Sequence, residues 1–273
     1  SESVKIRLRS DVPVGIFLSG GLDSSIVAYE ASKLTDKLTT FTVAVEGDKA
    51  LDESGIASRT ASKLGLDNVV LPLKIDVLDM VQKIVSQYDQ PFADSSAIPS
   101  LGISELASKQ VKVVLNGDGG DEQFAGYRRY VLARHIEKLS KIPRSVSSVG
   151  GKFLKTANRR SYLGFVQRML RISTLEDSED RYVALTTDTF TKKQKEDFWS
   201  GNLDFLEENF FSNFEPQGLS GVDSLLHLDR SINLTSGLLV KMDMASSAYS
   251  LEARSPLMDH RLFEFSSQVP DNY

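Results

Sequence analysis

The feature that most constrains the fold is a regular alternation of strand and helix patterns over the first 130 residues. Four segments are short, apolar and rich in β-branched residues, and they are predicted to be buried strands: 13–18, 38–45, 68–73 and 111–115. Four segments carry apolar residues at helical spacing: 24–34, 52–64, 76–88 and 100–109. Strands and helices that alternate in this way predict an α/β fold, with a parallel sheet covered by helices on both faces.

The second half of the chain has a different pattern. Beyond about residue 131 the strand patterns stop, and residues 131–225 read as charged helices. Residues 225–254 are again helical but rich in Ser, Thr and Met, so they are predicted to pack against the sheet. The predicted organisation is therefore an α/β core over 1–130 and a mainly helical part over 131–273. The abrupt start at Ser1 and end at Tyr273 predict a piece of a longer protein.

Composition excludes several classes of function. The chain has no cysteine, which excludes disulfides, thiolate metal sites and a cysteine nucleophile within it. The net charge of −5, without a long basic stretch, disfavours broad nucleic-acid binding. No apolar run approaches the roughly 20 residues that a membrane span needs. Together with the lack of a signal-peptide pattern, these features predict a cytoplasmic protein.

The segment SGGLDSS, residues 19–25, follows the first predicted strand and leads into a helix. Loops at the carboxyl ends of strands bind ligands in open α/β sheets. Gly20 and Gly21 permit a sharp turn and a close approach, and the N–H groups of the following helix attract an anion. The loop lacks the Lys of a Walker-type loop and the third glycine of a dinucleotide fingerprint. Asp23 would repel phosphate without a divalent cation, so the loop predicts phosphate with Mg²⁺; a simple helix-capping turn is the alternative.

A second glycine-rich segment, NGDGGDE at residues 116–122, follows the fourth predicted strand. Its glycines suit a close approach of the backbone to a ligand, and its acids suit a cation or an amine. A solvated acidic turn is the alternative. If both loops line one crevice, Asp23 and Asp121 are predicted to share a magnesium ion.

These motifs resemble those of a known family. The pattern S-G-G-x-D-S is the signature of the pyrophosphate-loop (PP-loop) ATP pyrophosphatases, which cleave ATP to AMP and pyrophosphate. With residues 114–130 and 250–265 added, the chain resembles the synthetase domain of class B glutamine-dependent asparagine synthetases, relatives of β-lactam synthetase. The resemblance extends over nearly the whole chain and implies an adenine nucleotide α-hydrolase-like fold.

The resemblance also implies roles for individual residues. Contacts with ATP are implied for the first strand end, both glycine loops and the second strand: Leu18, Ser19, Gly20, Gly21, Asp23, Ser24, Ser25, Val43, Asn116 and Gly117. Asp118 is implied to be catalytic and to contact the substrate, at the point where an acyl-adenylate meets ammonia. Ser95 and Ser96 lie where the family binds its amino-acid substrate, although a helix-capping pair is an equal alternative. Asp52 and Glu53 match the acidic start of the family's next helix.

Several positions depart from the family pattern. Asp118 is one methylene shorter than the Glu of many relatives, and Asn116 stands where Ser is usual. Met244 occupies a position that is usually basic, with Lys241 the nearest basic residue. The family's glutaminase half, with its terminal Cys nucleophile, and a downstream catalytic Lys are expected to lie outside the chain.

The third motif, residues 250–265, is predicted to sit at the end of a helix. Relatives use acids and bases of this region near the acyl-adenylate, and Glu252 is implied as a second catalytic residue. In a helix, Glu252 and Arg254 would point away from each other, so that only one of them faces the site.

The reaction implied by the resemblance has two steps. A substrate carboxylate, aspartate in the family, attacks the α-phosphorus of ATP, and ammonia from a glutaminase domain then converts the acyl-adenylate to an amide and AMP. Two alternatives remain open. In the first, the same chemistry amidates a sugar acid or closes a lactam or peptide ring. In the second, the chain is a nucleotide-binding module without catalytic activity. Neither nucleic acid nor a membrane is an implied partner, and a homodimer is left open.

Overall fold

The structure is a computed structural model, and it describes residues 1–45, 52–73, 76–139, 162–175, 178–186, 197–201, 211–214, 218–219 and 221–269. Its strands are β1 (Val14–Phe17), β2 (Thr39–Val45), β3 (Asp67–Leu73), β4 (Val113–Leu115) and β5 (Glu252–Arg254). The α-helices are α1 (Glu2–Arg7), α2 (Leu22–Ser32), α3 (Ser54–Leu64), α4 (Val77–Tyr88), α5 (Ala97–Ala107), α6 (Gly120–Phe124), α7 (Arg128–Leu139), α8 (Tyr162–Ser173), α9 (Ser178–Thr186), α10 (Gly221–Leu228), α11 (Leu239–Ser247) and α12 (His260–Ser266). Two 3₁₀ helices span Phe211–Phe214 and Pro256–Met258, and a π-helix spans Asp229–Leu238.

The five strands form one parallel sheet in the order β3-β2-β1-β4-β5. Gly15 of β1 lies opposite Thr39 of β2 on one side and Val114 of β4 on the other. The chain thus builds outward from β1 to β3 and then returns to the other side of β1 for β4. Open α/β sheets form their ligand crevice where the connections reverse in this way. The α/β fold class with a parallel sheet is confirmed.

Apolar side chains cover both faces of the sheet. Ile16 and Leu115 point to one face, where they pack in a cluster with Val27 of α2 and Ala61 of α3. Phe41, Leu71 and Val114 point to the other face, where they pack with Ala107 at the end of α5. Burial of one such large side chain stabilises the fold by roughly 1.5–3 kcal/mol. Ile16 of β1 and Leu115 of β4 share one cluster, so their burial favours the pairing of these two strands.

The strands and helices predicted for the first 115 residues are present, and their observed bounds lie within three residues of the predicted ones. The exception lies later in the chain, because β5 is a strand in a region predicted to be helical. It is an edge strand of only three residues, too short for the alternation of Ala253 with two charged residues to identify it. Its position depends on pairing with the β4 region, where the Glu252 N–H donates to the Lys112 carbonyl at 2.9 Å.

The chain divides into two compact units. The first contains Ser1–Phe124 and Ile232–Val269, and therefore the whole sheet. The second, within Ala125–Ser231, is helical in its described part, with α7 packed on α8 and on α10. Within residues 225–254, predicted to pack against the sheet, α11 lies against the helix α5 and the strand β5. The two-part division at residue 130 stays a prediction.

Among the described residues, no helix is both long enough and apolar enough to cross a membrane.

Candidate functional site

The loop between β1 and α2 is held by its own hydroxyl groups. The Ser24 hydroxyl accepts a hydrogen bond from the Ser19 N–H at 3.2 Å and lies 2.9 Å from the Ser19 hydroxyl. The Ser25 hydroxyl donates to the carbonyl of Gly21 at 2.7 Å. Helix α2 begins at Leu22, with Gly21 as its N-cap. The three serines therefore shape the loop, and their contacts with ATP stay predictions, as does that of the buried Leu18.

A carboxylate from the next helix also holds this loop. The Gly20 N–H donates to Glu53 Oε2 at 3.0 Å, and Glu53 is the N-cap residue of α3. A Cβ on Gly20 would lie 3.2 Å from the Glu53 Cβ, so a side chain there would press on the start of α3. Neither Gly20 nor Gly21 has a positive φ. The exposed Asp52 accepts from the Ser54 N–H instead, and its hydrogen bonds to Ser54 lower the pKa of its carboxyl.

The loop after β4 comes into contact with the first loop. A Cβ on Gly117 would lie 2.7 Å from the backbone nitrogen of Ser24, and a Cβ on Gly120 would overlap the Asp23 carboxylate. Gly119 has φ +90°, in the region that favours glycine. Gly117 and Gly120 are required by the close approach of the two loops, whereas Gly119 is required by its backbone conformation and by its contact with Met258. The structure thus brings together the two segments that the sequence placed at neighbouring strand ends.

Acidic side chains lie where the two loops meet. Burial raises the pKa of Asp23, and the charges of Asp121 and Glu122 raise it further. Within the described ranges, no group of three or more His, Asp or Glu side chains is arranged to hold a metal ion. Asp23 and Asp121 nevertheless offer the donor set that Mg²⁺ uses with a phosphorylated ligand, which is one or two carboxylates completed by phosphate oxygens and water. Their role as magnesium ligands stays a prediction.

Asp118 lies in a cavity of about 370 Å³ in the sheet unit. The other lining residues come from the β4 loop, the π-helix, α11 and β5 with the residue that follows it: Asn116, Thr235, Leu239, Val240, Met242, Asp243, Ala253 and Ser255. Burial raises the pKa of the Asp118 carboxyl to about 6, with Lys241 opposing the rise and Glu122 adding to it. A carboxyl with a pKa near neutrality can both accept and donate a proton during a reaction.

Asn116 holds the Asp118 side chain. Its Nδ2 donates to Asp118 Oδ2 at 2.7 Å, and its Oδ1 accepts from the Ser255 hydroxyl at 2.6 Å. The Asn116 side chain is nearly inaccessible to solvent, with 4% of its surface exposed. The carboxylate therefore has a fixed partner inside the protein.

Lys241 of α11, whose charge acts on Asp118, is hydrogen-bonded to one of the two predicted substrate-binding serines. Its ammonium donates to the Ser96 hydroxyl at 2.7 Å and to Asp94 Oδ2 at 3.2 Å. The Ser96 hydroxyl in turn donates to Asp94 Oδ1 at 2.7 Å, whereas Ser95 is exposed. Lys241 was not predicted as a site residue. The only signal in the sequence was its position three residues before Met244, where the family pattern expects a basic residue.

Glu252 lies outside the lining of the Asp118 cavity. It is exposed on β5, where the Arg254 side chain donates to it at 2.8 Å and lowers the pKa of its carboxyl. The prediction that Glu252 and Arg254 point away from each other is wrong, because residues two apart in a strand share one face. The catalytic role of Glu252 stays a prediction. Val43 lies inside β2, which continues to Val45, and its backbone contact with ATP is likewise untested.

The parallel sheet, with its two interlocked glycine loops and the acids between them, defines an α/β domain of the PP-loop type. The chain belongs to the asparagine synthase family, because the family model matches residues 1–273.

The chain is similar to several curated proteins. It is 31% identical over 99% of its length to asparagine synthetase (glutamine-hydrolyzing) 1 of Bacillus subtilis, covering 42% of that protein. It is 38% identical over 65% of its length to a putative asparagine synthetase (glutamine-hydrolyzing) 2 of Methanocaldococcus jannaschii, covering 35% of it. It is 28% identical over 98% of its length to a Penicillium rubens protein named Amidase chyE, covering 44% of that protein. The chain thus spans less than half the length of these relatives.

Proposed function

We propose that this chain is the synthetase part of an enzyme that uses ATP to amidate a carboxylate and releases AMP and pyrophosphate. The observation that carries the proposal is the contact between the glycine loops after β1 and β4, with Asp23 packed against Gly120. The similarity to asparagine synthetases supports aspartate as the carboxylate and ammonia from a glutaminase part as the nitrogen source.

In this proposal the first loop and the start of α2 hold the phosphates of ATP. The N–H groups of the first turn of a helix and its positive dipole end favour an anion. Asp23 and Asp121 would hold Mg²⁺, which neutralises phosphate charge when it is bound. Burial raises the pKa of Asp23 most, and the charges of Asp121 and Glu122 raise it further; a cation between the carboxylates would relieve that repulsion.

Asp118 would act in the second step. The nitrogen of ammonia forms a bond to the acyl carbon, the bond between that carbon and the AMP oxygen breaks, and AMP leaves with the electron pair. One proton of the nitrogen passes to the Asp118 carboxylate, which its pKa of about 6 suits for this transfer near neutral pH. Lys241 and Ser96 would hold the carboxylate substrate beside it.

The proposal is tested by measuring pyrophosphate release from Mg-ATP by the protein at its full natural length, with ammonium and a panel of carboxylates. We expect one carboxylate to stimulate release, with one amide formed per AMP. The panel includes aspartate, glutamate and sugar acids. Carboxylates other than aspartate are included because one similar protein is named an amidase and not an asparagine synthetase. ATP binding without pyrophosphate release by any carboxylate would support the nucleotide-binding module instead, and formation of ADP would contradict the reaction type.

The magnesium assignment has its own test. Asp23→Asn removes one of the two carboxylates, so we expect ATP affinity at a fixed magnesium concentration to fall by about tenfold. Titration calorimetry over a series of magnesium concentrations measures this effect. Asp36→Asn, an exposed acid beyond α2, is the matched control. Equal ATP affinity in the Asp23→Asn variant, or affinity that ignores magnesium, would contradict the assignment.

A further inference from the structure

We propose that Thr42 is a positioning residue for ATP, because its buried hydroxyl fixes the orientation of the first peptide group of the loop after β1. This inference rests on the proposed function, in which that loop holds the phosphates of ATP. It gives a role in nucleotide binding to a side chain of β2, a strand for which only the backbone contact of Val43 was predicted. Thr42 acts through Leu18 and Ser19, which begin the loop.

The pairing of β1 with β2 ends just before this loop. Phe17 and Phe41 are the last pair in register, and the Leu18 N–H then donates to the Phe41 carbonyl at 2.9 Å. The carbonyl of Leu18 accepts from the Thr42 hydroxyl at 2.8 Å. Only 2% of the surface of Thr42 is exposed, so this bond forms away from solvent. A side chain thus continues the contact between the two strands at the point where their pairing ends.

The Leu18 carbonyl and the Ser19 N–H belong to one planar peptide group, so a bond that fixes the first also directs the second. The Ser19 N–H donates to the Ser24 hydroxyl oxygen at 3.2 Å, and the hydroxyls of these two serines lie 2.9 Å apart. Ser24 is buried in the first turn of α2. The Thr42 hydroxyl therefore orients the peptide group that joins the loop to the beginning of this helix, where the proposed function places phosphate.

A second acceptor lies beside the Thr42 hydroxyl. Asn68 Oδ1 is 3.0 Å from it and 2.8 Å from the Thr40 hydroxyl, and Asn68 Nδ2 donates to the Ser58 hydroxyl at 3.0 Å. Each threonine hydroxyl has one proton to donate. The shortest contact of Thr42 is with the Leu18 carbonyl, whereas that of Thr40 is with Asn68. The geometry thus assigns the proton of Thr42 to the loop and that of Thr40 to β3.

Three variants of the protein at its full natural length test the role of Thr42. Thr42→Val removes the hydroxyl with little change of shape, so we expect the affinity for Mg-ATP, measured by titration calorimetry, to fall about tenfold. Thr42→Ser keeps the hydroxyl and should bind Mg-ATP within about threefold of the natural protein. Thr40→Val is the matched control, because it removes a buried hydroxyl of the same strand whose partners, Asp67 and Asn68, both belong to β3. It should also keep the affinity within about threefold.

Urea denaturation of the same variants separates positioning from a general loss of stability. Each valine variant loses one buried hydroxyl, so we expect the two denaturation midpoints to fall by similar amounts. The affinity for Mg-ATP should fall in Thr42→Val alone. An equal loss of affinity in Thr40→Val, or full affinity in Thr42→Val, would overturn the positioning role and leave the proposed function standing.

Hydrogen exchange at the Ser19 amide tests the orientation of the peptide group without ATP. In the ligand-free protein we expect Thr42→Val to speed this exchange about tenfold, as measured by NMR, and Thr40→Val to change it less than about threefold. An unchanged exchange rate in Thr42→Val would overturn the inference at any ATP affinity. A natural protein that does not bind Mg-ATP would instead contradict the proposed function, so the two failures are distinguishable.

Discussion

Asp118 in the sheet unit and Asp229 in the helical unit are both carboxylates inside the protein, but their charges are balanced in different ways. Asp229 is fully buried, and its Oδ2 accepts from the Arg129 guanidinium at 2.7 Å. Asp118 lines a cavity, where its hydrogen bond comes from the neutral amide of Asn116. Lys241, the cation whose charge acts on Asp118, donates to Asp94 and Ser96. A carboxylate with its own arginine is held for structure, whereas one beside a cavity and a shared lysine is available for chemistry.

The surroundings of Arg129 strengthen this contrast. The guanidinium lies 3.9 Å from the centre of the Tyr127 ring and 5.6 Å from that of Tyr130. The Tyr182 hydroxyl has a raised pKa, because of burial and then the charge of Asp229. These aromatic groups pack around the ion pair.

The largest effect is expected from Asp118→Asn. This change removes proton acceptance without changing the size of the side chain, so the amide-forming rate should fall about a thousandfold. ATP affinity should stay within about threefold, because the amide does not disturb the first loop. Asp121→Asn is the comparison variant, and it should instead weaken ATP binding and raise the magnesium requirement. Rates and calorimetric affinities measure both. An equal loss of ATP affinity in the two variants would contradict this division of roles.

The next effect concerns the structural pair. Arg129→Met leaves the Asp229 charge buried without its cation, and we expect the free energy of unfolding to fall by about 3 kcal/mol. Arg128→Met, at an exposed neighbouring position, is the matched control and should be nearly neutral. Replacing both partners, as Arg129→Met with Asp229→Leu, should recover most of the loss. Urea denaturation measures all three, and a double variant as unstable as the single one would contradict the comparison.

A third prediction uses the pH dependence of stability. The pKa of Asp118 is about 6 in the folded protein and 3.8 for the ordinary side chain, so the folded state binds more protons between these values. Stability of the natural protein should therefore fall, relative to Asp118→Asn, as pH rises from about 4 to 6. Above pH 6 the variant should be more stable by about 2–3 kcal/mol. Denaturation midpoints from pH 4 to 8 measure the difference. A variant that is less stable at pH 7 would show that Asp118 stabilises the fold.

The smallest effect is expected from Tyr182→Phe. Loss of the hydroxyl removes its hydrogen bond to Asp229 and should lower the free energy of unfolding by about 1 kcal/mol. The amide-forming rate should not change. A rate that falls tenfold or more while stability is kept would show that Tyr182 and Asp229 take part in the reaction. The contrast between a structural Asp229 and a reactive Asp118 would then be wrong.

Much of the sheet unit was predictable from the sequence. The apolar runs and helical spacings of the first 115 residues identify the elements, because burial on one or both faces imposes the periods. Two glycine loops directly after strands locate the crevice, since parallel strands end at one edge of the sheet. Asp23 and Asp121 could be selected because a carboxylate in a predicted phosphate-binding loop indicates a cation, whereas Asp118 was selected through the family resemblance.

Other features depended on contacts between residues that are far apart in the sequence. The strand β5 is too short for its pattern to identify it, and it is ordered by pairing with β4 and by packing against α11. Lys241 meets Ser96 only when α11 packs beside α5, and Ser255 meets Asn116 only when β5 joins the sheet. Local pattern determined the elements and the chemical groups that they carry. Tertiary packing decided which groups became partners, because hydrogen bonds and pKa shifts depend on distances that no single segment sets.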